Sequence, residues 1–254
     1  MRRIIALANQ KGGVGKTTST INIGYALSML GKKVMLIDLD PQAHLTYSLG
    51  IQAHELESTI YDVLKGNSDV ESACREINGV TILPSSLDLS GADIELASIP
   101  GREQLLNEAL KPYFKNFDYI LIDCPPSLGL LTLNCFTTVK EIFVPIQTEF
   151  LALQGLGKLI ETVDIIKKRL NPALNITSII GSRYDSRKNL SREVVQKIEE
   201  HFGKKLLRPL IRENVALAEA PSYGQDIFSY KESSYGAEDY LALSKVIIKQ
   251  EKRK

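Results

Sequence analysis

Apolar residues in this chain fall into short runs that alternate with longer stretches of helical spacing. Runs at 3–8, 33–37, 80–84, 119–122, 141–146, 176–182 and 205–207 predict strands. Several are continuous rather than alternating, the pattern of parallel strands covered on both faces. Helical spacing predicts helices at 16–30, 59–65, 87–97, 102–117, 130–139, 155–170, 190–202 and 236–249. Gly31 closes the first of these and Pro172 stops another. Strand–helix alternation from end to end predicts the α/β class, with a single doubly wound, mostly parallel sheet and helices on both faces. No repeat, low-complexity tract or linker breaks the pattern, so residues 1–254 read as one domain. Ligands of such sheets sit beyond the carboxyl ends of the strands.

Composition narrows the picture modestly. Apolar content of 44% and charged content of 24% are those of an ordinary globular protein. No apolar run approaches the roughly 20 residues of a membrane span, so no stable membrane insertion is expected. The chain enters its first strand at once, which predicts no signal peptide and a cytoplasmic location. Cys74, Cys124 and Cys135 lack paired metal spacing and read as reduced core thiols; His44, His54 and His201 are scattered. Net charge is only +1, but it is unevenly spread. Residues 41–109 hold eleven acidic and three basic side chains, a net of −8. Residues 167–212 hold twelve basic and four acidic ones, a net of +8. A local basic surface can bind a phosphate backbone on a nearly neutral molecule, although solvated helix faces give the same count.

The chemistry concentrates in Gln10-Lys11-Gly12-Gly13-Val14-Gly15-Lys16-Thr17-Thr18, between the first strand and the first helix. Glycines there let backbone N–H groups turn inward around an anion, and the helix N-terminus adds unpaired N–H groups and its positive dipole end. In a phosphate-binding loop of this kind Lys16 reaches the β- and γ-phosphates and the Thr17 hydroxyl binds Mg²⁺. The usual first glycine is replaced by Gln10, and a second lysine, Lys11, stands at the loop entrance. Two buried strands end in carboxylates, at Asp38-Leu39-Asp40-Pro41-Gln42 and at Asp123-Cys124-Pro125-Pro126. Such oxygens suit Mg²⁺, a hard cation that keeps several waters beside phosphate. Each could also serve as a helix N-cap.

The variant loop Lys11–Thr17 resembles the deviant Walker A loop of the ParA/MinD class of P-loop ATPases. With Asp38–Gln42, the segment 122–129 (Ile-Asp-Cys-Pro-Pro-Ser-Leu-Gly), Tyr184-Asp185-Ser186-Arg187 and Glu219-Ala220-Pro221-Ser222-Tyr223-Gly224, the likeness extends over nearly the whole chain. It is similar to the short, Soj-type ParA ATPases that partition chromosomes and plasmids. The start of the chain at its first strand matches that short type.

The resemblance implies a P-loop NTPase fold, ATP and ADP as ligands, Mg²⁺ as cofactor, and weak basal ATP hydrolysis. It implies contacts to nucleotide from Lys11, Gly12, Gly13, Val14, Gly15, Lys16, Thr17, Thr18 and Asp123. Lys11 would cross a homodimer interface to the partner subunit's nucleotide. Asp40 would position the hydrolytic water. Thr17, Asp38 and Asp123 would act at the Mg²⁺ or through its shell. The base pocket is expected near 182–184 and 209–212, with Pro209 and Arg212 as contacts. The ATP-bound dimer would bind double-stranded DNA without sequence preference, close to the nucleoid, and a ParB-like protein would stimulate hydrolysis. Arg187 stands where the family carries a DNA-contacting arginine, with Lys188 and Arg192 nearby. Two departures bear on that role: Ala216 replaces a basic residue of many relatives, and segment 230–236 replaces an arginine-rich stretch. Two neighbouring readings keep the same ATPase cycle. In one the cargo is a protein assembly. In the other the switch works at a membrane surface, as in MinD relatives, which requires an amphipathic C-terminal anchor. The apolar positions Tyr240, Leu241, Leu243, Val246 and Ile247 read instead as packing on the sheet, and the basic end 250–254 as solvated. Cys124 and Cys135 do not match the paired cysteines of an iron–sulfur ATPase.

Overall fold

A computed structural model describes residues 2–149 and 156–251. Among them seven strands form one sheet: β1 (Arg3–Leu7), β2 (Val34–Asp38), β3 (Arg75–Ile77), β4 (Val80–Leu83), β5 (Tyr119–Asp123), β6 (Glu141–Gln147) and β7 (Asn175–Ser182). The order is β3-β4-β2-β5-β1-β6-β7, and only β3 runs antiparallel to its neighbour. Side-chain alternation divides each central strand between two cores. Ala6, Met35, Ile37, Ile120 and Ile122 pack under helices Leu130–Thr138, Leu156–Arg169 and Asn189–Phe202. Ile5, Leu7, Leu36, Tyr119 and Leu121 pack under α1 (Lys16–Met29) and the C-terminal helix Tyr235–Glu251. The doubly wound expectation is met.

At the amino end of the sheet the C-terminal helix is tied down by charge. The buried Arg3 donates to both carboxylate oxygens of Glu141 at 2.9 and 2.8 Å and to the Ile247 carbonyl at 2.8 Å. Removing one member of such a pair strands the other charge in the core, which is why neither side chain stands alone there.

Three local expectations fail, two of them at a proline. Segment 205–207 is no strand: Leu206 makes a single bridge to Ile179, and Pro209 has no N–H with which to continue a ladder. The helix expected at 102–117 is broken into Arg102–Gln104, Leu105–Leu110 and Phe114–Asn116, because Pro112 cannot sit inside it. That at 87–97 is a 3₁₀ turn, Leu87–Gly91, followed by Ala92–Glu95. The hairpin β3–β4 escaped notice although its turn, Asn78-Gly79, has φ of 49° and 78°, the two positive values of a two-residue hairpin loop. Gly155, the expected start of one helix, and the terminal Lys252-Arg253-Lys254 lie outside the described residues.

Candidate functional site

Strand register builds the site before any side chain is considered. β2, β5 and β1 lie side by side, and Asp38, Asp123 and Leu7 are register partners at their carboxyl ends. The loop after Leu7 therefore runs directly past both carboxylates. It turns through Gly13 (φ 73°) and Gly15 (φ 90°), left-handed values that exclude most other residues, and Gly15 stands immediately before α1. The N–H groups of the first turn of α1 face the same space.

The loop is braced from neighbouring strands. Asn9 donates to the Pro145 carbonyl at 2.7 Å and accepts from the Lys11 N–H at 3.0 Å. Gln147, at the end of β6, donates to the Gly13 carbonyl at 2.6 Å. Ser182, at the end of β7, donates to the Val14 carbonyl at 2.9 Å. These two supports were not foreseen; their only sequence signal is a polar residue closing the apolar run at the carboxyl end of its strand.

Lys16 is buried, yet its ammonium has no hydrogen bond or ion pair among the described residues. Its neighbour Thr17 donates to Asp123 Oδ2 at 2.6 Å, and Thr20 reaches the other oxygen at 3.5 Å. Burial pushes the Asp123 carboxyl up to about 8; the nearby Asp38 adds to the rise, while Thr17 and Lys16 pull against it. Burial likewise lifts Asp38 to about 6, against hydrogen bonds from Thr46 and the Asp40 N–H. Asp38 is fully buried: Oδ2 accepts from the Thr46 N–H and hydroxyl at 2.9 and 2.8 Å, and Oδ1 from the Asp40 N–H at 3.2 Å. Asp40 accepts from the Gln42 N–H through Oδ1 at 3.0 Å, and its Oδ2 has no bond among the described residues. Gly12 and Gly13 are exposed, and Lys11 is half-buried without an acidic partner among the described residues.

A cavity of about 290 Å³ opens beside the loop. Gly13, Gly15 and Thr18 form one wall; Ser182, Arg183, Ile211 and Arg212 form the next. Two further contributors were not anticipated, the segment Glu213–Ala218 (213–215, 217 and 218) and Tyr240. Tyr240 reads in sequence as one more apolar helix position, but its hydroxyl bonds Ser19 of α1 at 3.1 Å. Asn214 carried a usable signal: it caps the helix Val215–Glu219, accepting from the Ala216 N–H. Pro209 does not line the cavity, which starts two residues later at Ile211. Arg212 does, but its guanidinium is engaged by Asp239 and Glu238 and lies 4.2 Å from the Tyr235 ring centroid.

The three basic residues Arg187, Lys188 and Arg192 lie together at the start of helix Asn189–Phe202, all exposed. Arg187 is forked onto Asp185 through Nε and Nη2, both at 2.9 Å, which pulls the Asp185 carboxyl down to about 2. Lys188 bonds Glu213 at 2.9 Å, and Arg192 bonds Asn189. The basic segment 167–212 carries β7, one edge of the sheet, and the acidic segment 41–109 carries β3 and β4, the opposite edge. Ala216 is buried in a small apolar cluster with Ile227 and Ala237.

A phosphate loop between β1 and α1, two strand-end aspartates beside it and a lysine at its mouth define an ATP-hydrolysing P-loop enzyme of the ParA/MinD class. Comparison with known proteins agrees. A family model described as an AAA domain matches residues 2–176. Soj, the sporulation initiation inhibitor protein of Bacillus subtilis, is 42% identical over 97% of this chain and 98% of its own length. The chromosome partitioning protein ParA of Caulobacter vibrioides is 42% identical over 98% of this chain and 95% of its own. A Mycobacterium smegmatis protein named cobyrinic acid a,c-diamide synthase, solved with bound ADP and magnesium, superposes with a TM-score of 0.88 at 36% identity, over 99% of this chain and 96% of that one. The chain belongs to the Soj/ParA family of partitioning ATPases. No helix among the described residues is long and apolar enough to cross a membrane.

Proposed function

We propose that this protein is a DNA-partitioning switch: ATP and Mg²⁺ bind at the loop, two chains close face to face, and the closed dimer holds double-stranded DNA without sequence preference until a ParB-like protein stimulates hydrolysis. The observation that carries the reading is the pair of lysines. Lys16 is buried with no hydrogen bond or ion pair among the described residues, so it supplies charge to the loop's own ligand; Lys11, half-buried at the entrance of the same loop, has no acidic partner among them either. A cation that reaches phosphate only across a dimer couples nucleotide binding to dimerisation in both directions. The synthase name of the structural neighbour leaves this unchanged, since relatives matched over nearly their whole length at higher identity carry chromosome-partitioning names.

The residues present suit the metal. The Thr17 hydroxyl and the Asp123 carboxylate are oxygen donors 2.6 Å apart, and a divalent cation favours the ionised carboxylate that burial opposes. When bound, Mg²⁺ supplies positive charge to the phosphate oxygens as the γ-phosphoryl leaves. Lys16 and the N–H groups of the loop hold the phosphates; Asp38, which already accepts three hydrogen bonds from Thr46 and Asp40, orients rather than coordinates directly; Asp40 keeps Oδ2, unbonded among the described residues, to orient the attacking water. The base and ribose occupy the 290 Å³ cavity, with Arg212 as a pinned wall.

Lys11→Ala tests the reading. Nucleotide affinity of the monomer is expected to stay within about threefold of wild type while ATP-dependent dimerisation is lost, a difference of under 1 kcal/mol against several. Dimers of wild-type strength would remove Lys11 from this role.

DNA belongs on the basic edge, where Lys and Arg neutralise phosphates and the acidic edge faces away. Arg187→Glu, present twice in a dimer, is expected to reduce the slope of log affinity against log salt by about 2. Retention of the ATP-bound protein on DNA, titrated with salt, measures it; an unchanged slope excludes Arg187 as a contact.

A further inference from the structure

We propose that Thr46 and Ser85 are positioning residues for hydrolysis, holding the segment that carries Asp40 in its working place. The proposal deepens the reading above and rests on it.

The four residues close a ring of hydrogen bonds. Thr46 donates its N–H and hydroxyl to Asp38 Oδ2 at 2.9 and 2.8 Å. Asp38 Oδ1 accepts from the Asp40 N–H at 3.2 Å. The Asp40 carbonyl accepts from the Ser85 hydroxyl at 2.9 Å, and the Ser85 N–H returns to the Thr46 hydroxyl at 2.9 Å. Thr46 is thus donor and acceptor at once, which only a hydroxyl provides at that size. Asp38, Thr46 and Ser85 are wholly buried, and Asp40 is 7% exposed. In such surroundings an unmade bond is costly, so the ring has little freedom to open.

The ring gathers three pieces of chain: the end of β2, the short helix His44–Ser48, and the segment just after β4. Both backbone groups of Asp40 are held, the N–H by Asp38 and the carbonyl by Ser85. Its carboxylate is steadied at Oδ1 by the Gln42 N–H. What is left over is Oδ2, the one oxygen with work still to do among the described groups. Thr46 and Ser85 are wholly buried and both spend their N–H and O–H donors inside the ring, so their effect reaches the reaction through Asp40. Displacing a reacting group by about 1 Å can cost about 10²-fold in rate.

The test compares Thr46→Val, which keeps the shape and removes the hydroxyl, with Thr46→Ser, which keeps the hydroxyl. Single-turnover hydrolysis, affinity for a fluorescent ATP analogue, and hydrogen exchange of the nucleotide-free protein are read together. Thr46→Val is expected to hydrolyse about 10- to 100-fold more slowly with affinity within about threefold, and to lose protection at the Asp40 and Ser85 amides. Thr46→Ser is expected to return within about threefold of wild type on all three. Ser85→Ala, about 3- to 10-fold slow, carries the test should Thr46→Val fail to fold. Combining Thr46→Val with Asp40→Ala is expected to be no slower than Asp40→Ala alone. Wild-type hydrolysis in Thr46→Val, a Thr46→Ser as slow as Thr46→Val, or additive losses would each overturn the proposal. Wild-type hydrolysis in Asp40→Ala itself would instead remove Asp40 from the reaction and the ring's role with it.

Discussion

Replacement of Lys16 by alanine is expected to abolish productive ATP binding. Lys16 is buried and its ammonium has no partner among the described residues, at the N-terminus of α1 and near a carboxylate that burial already holds toward neutrality. A charge-assisted hydrogen bond is worth roughly 1.5–3 kcal/mol, and a lysine serving two phosphates makes more than one. A loss of about 3 kcal/mol or more is a factor of over 10² in affinity. Titration with a fluorescent ATP analogue reads it, and circular dichroism confirms that the fold survives. Binding within tenfold of wild type would mean that the loop N–H groups alone hold the phosphates.

Asp40→Ala is expected to separate binding from hydrolysis. Asp40 does not line the 290 Å³ cavity, and its Oδ2 has no hydrogen bond among the described residues. Removing a group that orients the attacking water costs about 10²–10⁴-fold in rate. ATP should bind with near wild-type affinity, dimers should form, and release of phosphate should fall by at least about 10²-fold. DNA retention should then persist after ATP is chased, because the dimer cannot reset. Phosphate release at wild-type rate would transfer the water-positioning role to another group.

Much of this was legible in the amino-acid sequence because local chemistry and fold agreed. A glycine-rich loop between an apolar run and a helix is a local device, and Asp38 and Asp123 were visible as the only acids ending buried strands. Their adjacency followed once the strands were parallel neighbours in register. Long-range features were not legible. Gln147 and Ser182 brace the loop and Tyr240 reaches Ser19 of α1, all from far away in sequence, and a polar residue at a strand end or a tyrosine in an apolar helix stripe does not by itself say what it will touch. The nearly saturated Asp38 and the Thr46–Ser85 ring depend on three segments meeting at the carboxyl edge. Of the stretch 209–212 expected at the base, Ile211 and Arg212 line the cavity and Pro209 does not. Proline also misled elsewhere: periodicity ran through Pro112, while the backbone could not.

The basic and acidic stretches gained meaning only from topology. In sequence they are two charge counts; on the sheet they are opposite edges, with β7 on one side and β3 and β4 on the other. Ala216, read as a missing charge, is a buried packing residue beside Ile227 and Ala237.

The central claim is that ATP makes two of these chains one unit. Light scattering of Asp40→Ala in saturating ATP and Mg²⁺ tests it without interference from turnover. The account predicts a particle of twice 28.2 kDa in ATP and of 28.2 kDa in ADP. A mass of 28.2 kDa in ATP, with the nucleotide shown to be bound, would contradict it.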